Sequence, residues 1–209
     1  MQTAGALLIS YLIGSIPSAL IAGKILLGVD IRTIGSGNAG ATNLYRAAGL
    51  RPYLMVLAAD IFKGYAATEW IAGLASSGVD AVDAMIACGL AAVIGHVFTV
   101  FASFKGGKGV ATAAGMMLAL VPGPLLGAIA VYFVILYFTS YVSLGSIGAA
   151  VSLPLTLAFS HFVLGASIRM EIQAITVVLA LLILVTHREN IARLIKGEER
   201  KTEFFKKGP

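Results

Sequence analysis

The sequence predicts an all-α fold, a polytopic bundle of membrane-spanning helices. Of its 209 residues, 58% are apolar and 12% are charged, and its mean hydropathy is +0.92. Soluble domains average about 45–50% apolar and about 25% charged residues. Several apolar runs approach or exceed the roughly 20 residues that cross the hydrocarbon core of a bilayer. We therefore expect one integral membrane domain, residues 1–209, without a separate soluble domain or a repeat.

The apolar runs, taken in order, predict seven transmembrane helices. The first has no cationic segment before it and carries Lys24 at its far end, which argues against a cleaved signal peptide. The fourth and seventh are shorter than a standard span. Proline lacks a backbone N–H and clashes with the preceding turn, so Pro122 and Pro124 separate the fourth span from the fifth. The predicted spans cover residues 4–27, 52–74, 84–101, 110–121, 125–140, 142–163 and 172–186.

The distribution of lysine and arginine predicts the orientation, because cytoplasmic loops carry the excess of these residues. With seven spans, an N-terminus outside and a cytoplasmic C-terminus, 13 of the 15 basic residues lie inside, whereas Arg169 lies outside and Lys63 lies within the second span. All three polar clusters of the chain then lie on the cytoplasmic face, which predicts one composite site. The 13 residues are Lys24, Arg32, Arg46, Arg51, Lys105, Lys108, Arg188, Arg193, Lys196, Arg200, Lys201, Lys206 and Lys207.

A few polar or reactive residues lie within the predicted spans. Asp60 and Lys63 are three residues apart, so they can pair on one helix face and lower the cost of burying their charges. We favour a structural pair, although a proton-coupled transporter would also use one. His96 is interpreted as a hydrogen-bonded structural histidine. Cys88, the single cysteine, is expected to be a small buried filler.

The first polar cluster is the glycine–asparagine loop, residues 35–43, with the sequence GSGNAGATN. Its glycine spacing matches a dinucleotide-binding fingerprint, but that motif needs a preceding strand, and here it links two hydrophobic spans. Glycines allow backbone N–H groups to converge on an anion, and Ser36, Asn38, Thr42 and Asn43 add neutral donors. The loop predicts a phosphate site, with an ordinary connection as the alternative.

The second cluster is the lysine–glycine loop, residues 105–109, with the sequence KGGKG. Gly109 stands where a Walker A loop needs serine or threonine, which excludes a nucleotide-hydrolysis loop. Lys105 and Lys108 can clamp a phosphate, and a helix beginning after the loop would direct its positive dipole there. The alternative is that both lysines only follow the positive-inside rule.

The third cluster, HREN at residues 187–190, ends the last predicted span. His187 and Asn190 are three residues apart and share a helix face, where they can bind a phosphorylated substrate or move a proton. A polar helix end is the alternative. The topology places Arg46 and Ser143 at the same depth, which adds a cation and a hydroxyl.

These motifs, in this order, resemble those of the bacterial acyl-phosphate-dependent glycerol-3-phosphate acyltransferase family. The resemblance covers nearly the whole chain. Besides the three clusters it includes GH at residues 95–96, DIFKG at 60–64, the continuation of the second loop into VAT at 110–112, and YVSL at 141–144.

The resemblance implies an enzyme of the bacterial cytoplasmic (inner) membrane with its active site on the cytoplasmic face. It would transfer a fatty acyl group from acyl phosphate to the 1-position of sn-glycerol 3-phosphate, giving lysophosphatidate and inorganic phosphate, the first step of phospholipid synthesis. No cofactor is expected. Consistently, none of the three histidines has an aspartate five residues later, as soluble-type acyltransferases would require.

The resemblance and the chemistry together assign roles to residues. An acyl phosphate is already activated, so the enzyme has to hold two anionic substrates and stabilise developing charge without a covalent acyl-enzyme. The substrate's own phosphate would accept the hydroxyl proton, with His187 as the alternative base; Lys105, Ser36 and His187 are the candidate catalytic residues. The expected acyl-phosphate contacts are Ser36, Gly37, Asn38, Thr42 and Lys105. The expected glycerol 3-phosphate contacts are Arg46, Lys105, Ser143, His187 and Asn190.

Two other classes of protein remain open at this point. An anion or phosphoester transporter would also gather glycines and lysines, but its site usually lies at mid-membrane between repeats. A purely structural subunit leaves the three clusters unexplained. We expect membrane lipids and a soluble acyl-phosphate-forming enzyme as candidate partners, no nucleic acid and no metal site. The basic tail, residues 191–207, is expected to lie on anionic headgroups or in solvent.

Overall fold

The computed structural model describes residues 1–202, which form helices and connecting turns without a strand. The end of the basic tail, residues 203–209, lies outside the described part. The chain divides into two compact units, Met1–Leu120 (unit 1) and Val121–Pro209 (unit 2).

Both units are built from helices that follow the apolar runs of the sequence. In unit 1 the π-helical stretch Ala67–Ile71 and the 3₁₀ turn Ala72–Leu74 follow α4 directly, and 3₁₀ turns also form at Ile31–Thr33 and Val100–Ala102. The helices of unit 1 are α1 Gln2–Gly14, α2 Ser18–Leu27, α3 Ala41–Ala48, α4 Leu50–Ala66, α5 Ala81–Val97 and α6 Val110–Leu120. Those of unit 2 are α7 Pro122–Thr139, α8 Val142–Phe162, α9 Met170–Thr186 and α10 Arg188–Ile195.

Small residues bring helix backbones of unit 1 close together. A Cβ added to Gly14 of α1 would lie 2.1 Å from the carbonyl oxygen of Ala92 in α5. A Cβ on Gly64 of α4 would lie 2.0 Å from the carbonyl oxygen of Thr112, and one on Gly115 of α6 would lie 1.9 Å from that of Ile61. Because lipid offers no hydrophobic driving force between helices, such close van der Waals packing is typical of membrane proteins.

The first predicted span is interrupted between α1 and α2, where residues 15–17 leave the helix. Pro17 cannot donate to the helical ladder, so carbonyl groups before it lose their helical partners. Side chains from elsewhere in unit 1 donate to them instead, since Lys63 Nζ of α4 donates to the carbonyl of Ile16 at 3.0 Å and Thr99 Oγ1, two residues after α5, donates to that of Ser15. The predicted span over residues 4–27 agrees with the segment Gln2–Leu27, which is long and apolar enough to cross a membrane, although the break at residues 15–17 divides it into two helices.

The positions of the helices agree with those of the predicted spans. The number of described helices that are long and apolar enough to cross a membrane is smaller than the seven predicted. Within residues 1–202, four helical segments are long and apolar enough to cross a membrane, or five if α9 and α10, bent by 61°, count as one span. α6 has 11 residues, about 16 Å of rise, against a hydrocarbon core of about 30 Å. The count of seven spans and the orientation of the termini stay predictions.

Large apolar side chains are exposed on the helices, as expected for lipid contact. Met55 of α4, Phe138 of α7 and Phe162 of α8 are 73%, 79% and 82% exposed. Soluble monomers rarely expose so many large apolar groups. The surface thus supports the membrane location that the composition predicts.

Candidate active site

The glycine–asparagine loop is shaped by one buried side chain, Asn43, at the start of α3. Its Oδ1 accepts the backbone N–H of Ser36 at 2.8 Å, and its Nδ2 donates to the carbonyls of Ile31 and Ile34 at 2.7 and 3.1 Å. Asn43 is 2% exposed. The prediction that its amide is a free donor for an anion was therefore wrong, because the amide already forms hydrogen bonds with the backbone of the loop and of the residues before it.

Two glycines are required where this loop passes the asparagine. Gly35 has φ of +61°, and a Cβ there would lie 2.2 Å from Asn43 Oδ1. Gly37 has φ of +72°. Residues other than glycine rarely adopt this left-handed region. The loop thus exposes Gly37 and the neighbouring Asn38 rather than its scaffold.

The lysine–glycine loop is seated on the C-terminal end of α5. The backbone N–H of Lys105 donates to the carbonyl of Ala102 at 3.1 Å, and that of Gly106 donates to Val97 at 3.0 Å. α6 begins at Val110, immediately after the loop. A helix N-terminus carries a partial positive charge, so this arrangement favours an anion beside the loop.

An ion pair that sequence reasoning did not assign to the site lies beside the two loops. Asp30 accepts from the backbone and guanidinium of Arg32, with a shortest distance of 2.6 Å between Asp30 Oδ2 and Arg32 Nη2. Arg32 Nη1 also donates to the carbonyl of Ala102 at 3.1 Å, directly before the lysine–glycine loop. The hydrogen bonds from Arg32 hold the pKa of Asp30 below its ordinary value. In the sequence, the only sign of this ion pair is that Asp30 stands two residues before Arg32.

These elements of unit 1 surround an open cavity of about 470 Å³. Its wall carries backbone groups of both loops, the exposed side chain of Lys105, and the Asp30–Arg32 pair. A cation, flexible glycine backbone and a nearby helix N-terminus are the usual components of a phosphate site. The lining residues are Asp30, Arg32, Thr33, Gly37, Asn38, Ala39, Ser103, Lys105 and Gly106.

The structure brings three of the predicted acyl-phosphate residues, Gly37, Asn38 and Lys105, to this one cavity. Among the described residues, Ser36 and Thr42 lie outside its lining, although both are partly buried neighbours of the same loop. Arg46 lies in the last turn of α3, one helical turn after Thr42.

In unit 2, the third polar cluster coincides with a break between helices. α9 ends at Thr186 and α10 begins at Arg188, so His187 stands at the bend, 2% exposed. Its Nδ1 lies 2.8 Å from the carbonyl oxygen of Ile183. A carbonyl only accepts, so Nδ1 carries the proton in this contact. His187 is thus the N-cap of α10 and Asn190 lies in the first turn of that helix, so the cluster begins a short helix instead of ending the last span.

Ser143 and Asn190 meet at a third residue, Glu199, that sequence reasoning missed. Glu199 Oε1 accepts from Ser143 Oγ at 2.7 Å and from Asn190 Nδ2 at 2.6 Å, and Oε2 accepts from Arg193 Nε at 2.7 Å. The Glu199 side chain is 4% exposed. Burial alone would raise the pKa of Glu199, but the hydrogen bonds from Asn190, Ser143 and Arg193 bring it below its ordinary value. We call these four residues the Glu199 cluster.

Glu199 itself belongs to the segment after α10, which contacts other residues of unit 2. The backbone N–H of Thr202 donates to the carbonyl of Ser140 at 2.8 Å, and Lys201 Nζ lies 5.7 Å from the centroid of the Tyr141 ring. Glu199 and Thr202 are buried, whereas Glu198 is exposed. The expectation of a tail wholly on headgroups or in solvent was therefore wrong as far as residue 202. Nothing in the sequence distinguishes Glu199 from Glu198.

Apolar helices with exposed large side chains define an integral membrane protein, and the cavity lined by glycines and a lysine is its candidate anion site. The family model for glycerol-3-phosphate acyltransferase matches residues 4–197. The chain belongs to the glycerol-3-phosphate acyltransferase family, and it is an acyltransferase of phospholipid synthesis, as the motifs predict.

Individual relatives agree with this assignment over nearly the whole chain. A glycerol-3-phosphate acyltransferase of Pelodictyon phaeoclathratiforme is 40% identical, covering 96% of this chain and 97% of its own. The crystal structure of PlsY, an integral membrane glycerol 3-phosphate acyltransferase, in its glycerol 3-phosphate form has a TM-score of 0.83 and 36% identity, and covers 97% of this chain and 96% of its own. The lysophosphatidic acid form of PlsY matches with the same TM-score and identity, covering 96% and 95%.

Proposed function

We propose that this acyltransferase takes its acyl group from an acyl phosphate and transfers it to the 1-position of sn-glycerol 3-phosphate. The products are lysophosphatidate and inorganic phosphate. The observation that carries the proposal is the cavity of unit 1, where the exposed cation of Lys105 lies beside Gly37 and Asn38 of the glycine–asparagine loop. PlsY, solved in glycerol 3-phosphate and lysophosphatidic acid forms, supports the acceptor and the product by similarity.

The reaction balances without an acyl-enzyme. The 1-hydroxyl oxygen of glycerol 3-phosphate attacks the acyl carbonyl carbon, the bond from that carbon to the phosphate oxygen breaks, and the phosphate leaves with the hydroxyl proton. A phosphate leaving group needs little chemical activation, so positioning and charge stabilisation by Lys105 supply the catalysis. His187 is the alternative base.

We assign the acyl phosphate to Gly37, Asn38 and Lys105, which line the cavity, with Ser36 and Thr42 beside them in the loop. To glycerol 3-phosphate we assign Lys105 as the shared cation. We also assign Arg46, in the same unit, to this acceptor. In unit 2, Ser143 and Asn190 already donate to Glu199, so their assignment to the acceptor, and that of His187, stays a prediction from the sequence.

We further propose that the protein lies in the bacterial inner membrane with seven spans, its N-terminus outside and its active site on the cytoplasmic face. The excess of lysine and arginine in the predicted inner loops supports this orientation. It would give the enzyme a soluble acceptor from the cytoplasm and a lipid-like donor from the membrane, and it leaves room for a soluble enzyme that delivers acyl phosphate.

The donor is tested with purified protein in detergent. Phosphate release is measured from palmitoyl phosphate, with and without glycerol 3-phosphate, and lysophosphatidate formation is measured in parallel with palmitoyl-CoA as the competing donor. We expect release that depends on glycerol 3-phosphate and is matched by an equal amount of lysophosphatidate.

Lys105→Ala is the site variant and Lys24→Ala, an exposed lysine of the same unit, is its matched control. Product formed from palmitoyl-CoA but not from palmitoyl phosphate would overturn the donor. Full activity of Lys105→Ala would overturn the site. Activity of His187→Ala with only the KM for glycerol 3-phosphate raised would exclude His187 as the base.

A further inference from the structure

The lysine–glycine loop rests on α5 through backbone contacts that end at His96. The N–H of Gly107 donates to the carbonyl of His96 at 3.1 Å, beside the bond from Gly106 to Val97. These bonds pair carbonyls that α5 leaves without helical partners at its C-terminal end. The backbone of His96 is therefore part of the seat of the loop.

The side chain of His96 packs against the same glycine. A Cβ added to Gly107 would lie 2.3, 3.0 and 3.2 Å from His96 Nε2, Cε1 and Cδ2, and these are its three nearest atoms. A Cβ on Gly106 would instead lie 2.0 and 2.8 Å from the carbonyl oxygens of His96 and Val97. The two adjacent glycines thus face different obstacles, an imidazole ring and a helix backbone.

The far side of the imidazole faces a buried charge. His96 Nδ1 lies 3.7 Å from Asp60 Oδ1, and Lys63 Nζ lies 2.9 Å from the same oxygen. Asp60 and Lys63 are 3% and 4% exposed, and Lys63 is itself held by the carbonyl of Ile16. At 3.7 Å the attraction of Asp60 for the imidazole is electrostatic rather than a hydrogen bond. The ring is confined between this fixed carboxylate and the glycine.

We propose that His96, packed between Asp60 and Gly107, is a positioning residue that sets the conformation of the lysine–glycine loop and so the placement of Lys105. The proposal rests on the proposed role of Lys105 in phosphate binding. Lys105 is separated from Gly107 by one residue, so a shift of the loop at Gly107 moves the lysine. A displacement of about 1 Å in a substrate-positioning group costs about 100-fold in rate.

The test pairs substitutions at the two glycines with the removal of the ring. The variants are Gly107→Ala, His96→Ala, the double variant, Gly106→Ala, and Gly106→Ala with His96→Ala. KM and kcat are measured for glycerol 3-phosphate with palmitoyl phosphate. Folding is followed by size-exclusion chromatography and thermal unfolding.

We expect His96→Ala to raise the KM for glycerol 3-phosphate by about tenfold, with a smaller change in kcat. Gly107→Ala should be at least as impaired, and the double variant should recover to the level of His96→Ala alone, because the added Cβ fills the space of the ring. Gly106→Ala should not recover, since its obstacle is backbone. A histidine that only fills the core would lower the amount of folded enzyme and leave the KM of the folded fraction unchanged.

Two outcomes overturn the proposal. One is that folded His96→Ala has an unchanged KM for glycerol 3-phosphate. The other is that removal of the His96 ring restores activity equally to Gly106→Ala and Gly107→Ala, or to neither of them. Lys105→Ala is assayed alongside, because its full activity would show that the loop does not bind substrate and would refute the proposed site itself. Wild-type enzyme inactive with palmitoyl phosphate but active with palmitoyl-CoA refutes only the donor, and the same KM comparison is then made with palmitoyl-CoA.

Discussion

The cavity of unit 1 and the Glu199 cluster of unit 2 use similar polar groups in opposite ways. Around the cavity, the side chain of Lys105 is exposed, whereas the backbone N–H groups of Ser36 and Gly37 are already bonded to Asn43 and Ile34. In the Glu199 cluster, Ser143 and Asn190 are buried and already donate to Glu199. The comparison distinguishes an exposed cation, which can meet an anion from solution, from buried polar groups that already donate hydrogen bonds to an acidic residue of the protein.

The largest expected effect is that of Lys105→Ala. We expect kcat/KM to fall by about 100- to 1,000-fold, because one fixed donor to developing charge is worth that much in a water-poor site. Steady-state kinetics with both substrates measure it. Lys24→Ala should stay near wild type, and a similar loss in that control would mean that net charge, not the cavity, is responsible.

Glu199→Ala should affect stability first. It removes the acceptor of Ser143, Asn190 and Arg193, and breaking a buried, hydrogen-bonded charge cluster costs about 3–5 kcal/mol, which corresponds to a fall of about 10 °C in Tm. Thermal unfolding in detergent measures the change. Glu198→Ala, the exposed neighbour, is the control and should lie within about 0.5 kcal/mol of wild type. Equal Tm values for the two variants would contradict the contrast between open and satisfied groups.

Acid should weaken the Glu199 cluster. The pKa of Glu199 is lowered in the fold, so its stabilisation is fully present above the pKa of the unfolded chain and is lost as the pH falls through the folded value. The difference in Tm between wild type and Glu199→Gln should be constant near neutral pH and shrink below about pH 4. Asp30 titrates in both proteins and cancels. A difference that grows on acidification would show that Glu199 is stabilised as the neutral acid.

The smallest effect is expected at the rim of the cavity. In the Asp30–Arg32 pair the side chains are 38% and 31% exposed, so Asp30→Asn should cost about 1 kcal/mol or less in stability. We expect kcat/KM to change by less than about fivefold, since the hydrogen bond from the Arg32 guanidinium to the carbonyl of Ala102 can persist. A loss as large as that of Lys105→Ala would show that the ion pair itself contacts substrate.

Sequence reasoning was most successful where local chemistry decides the outcome. Apolar runs located the helices, and the spacing of Asp60 and Lys63 predicted a pair that the structure confirms at 2.9 Å. Cys88, 1% exposed, is the buried filler that was expected. The glycines of the two loops indicated an anion site, and Gly37, Asn38 and Lys105 do share a cavity.

Reasoning failed where the partner of a polar atom lies far away in the sequence. Glu199 is 56 residues from Ser143, and Lys63 is 47 residues from the carbonyl of Ile16. No spacing rule connects such residues. Asn43 was interpreted as a free donor for a different reason: its partners are only 7 to 12 residues away, but the path of the loop decides which of them it meets.

The sequence by itself determined that this is a helical membrane protein, which loops bring glycine and cations together, and which family it resembles. Composition and motif order suffice for these conclusions, because hydrocarbon burial and family chemistry are properties of residue type. Only the tertiary structure decided which polar atoms are still available. Whether a hydrogen-bonding group already has a partner depends on its neighbours in space. The contrast between the exposed Lys105 and the buried, hydrogen-bonded Ser143 is therefore visible only in the folded chain.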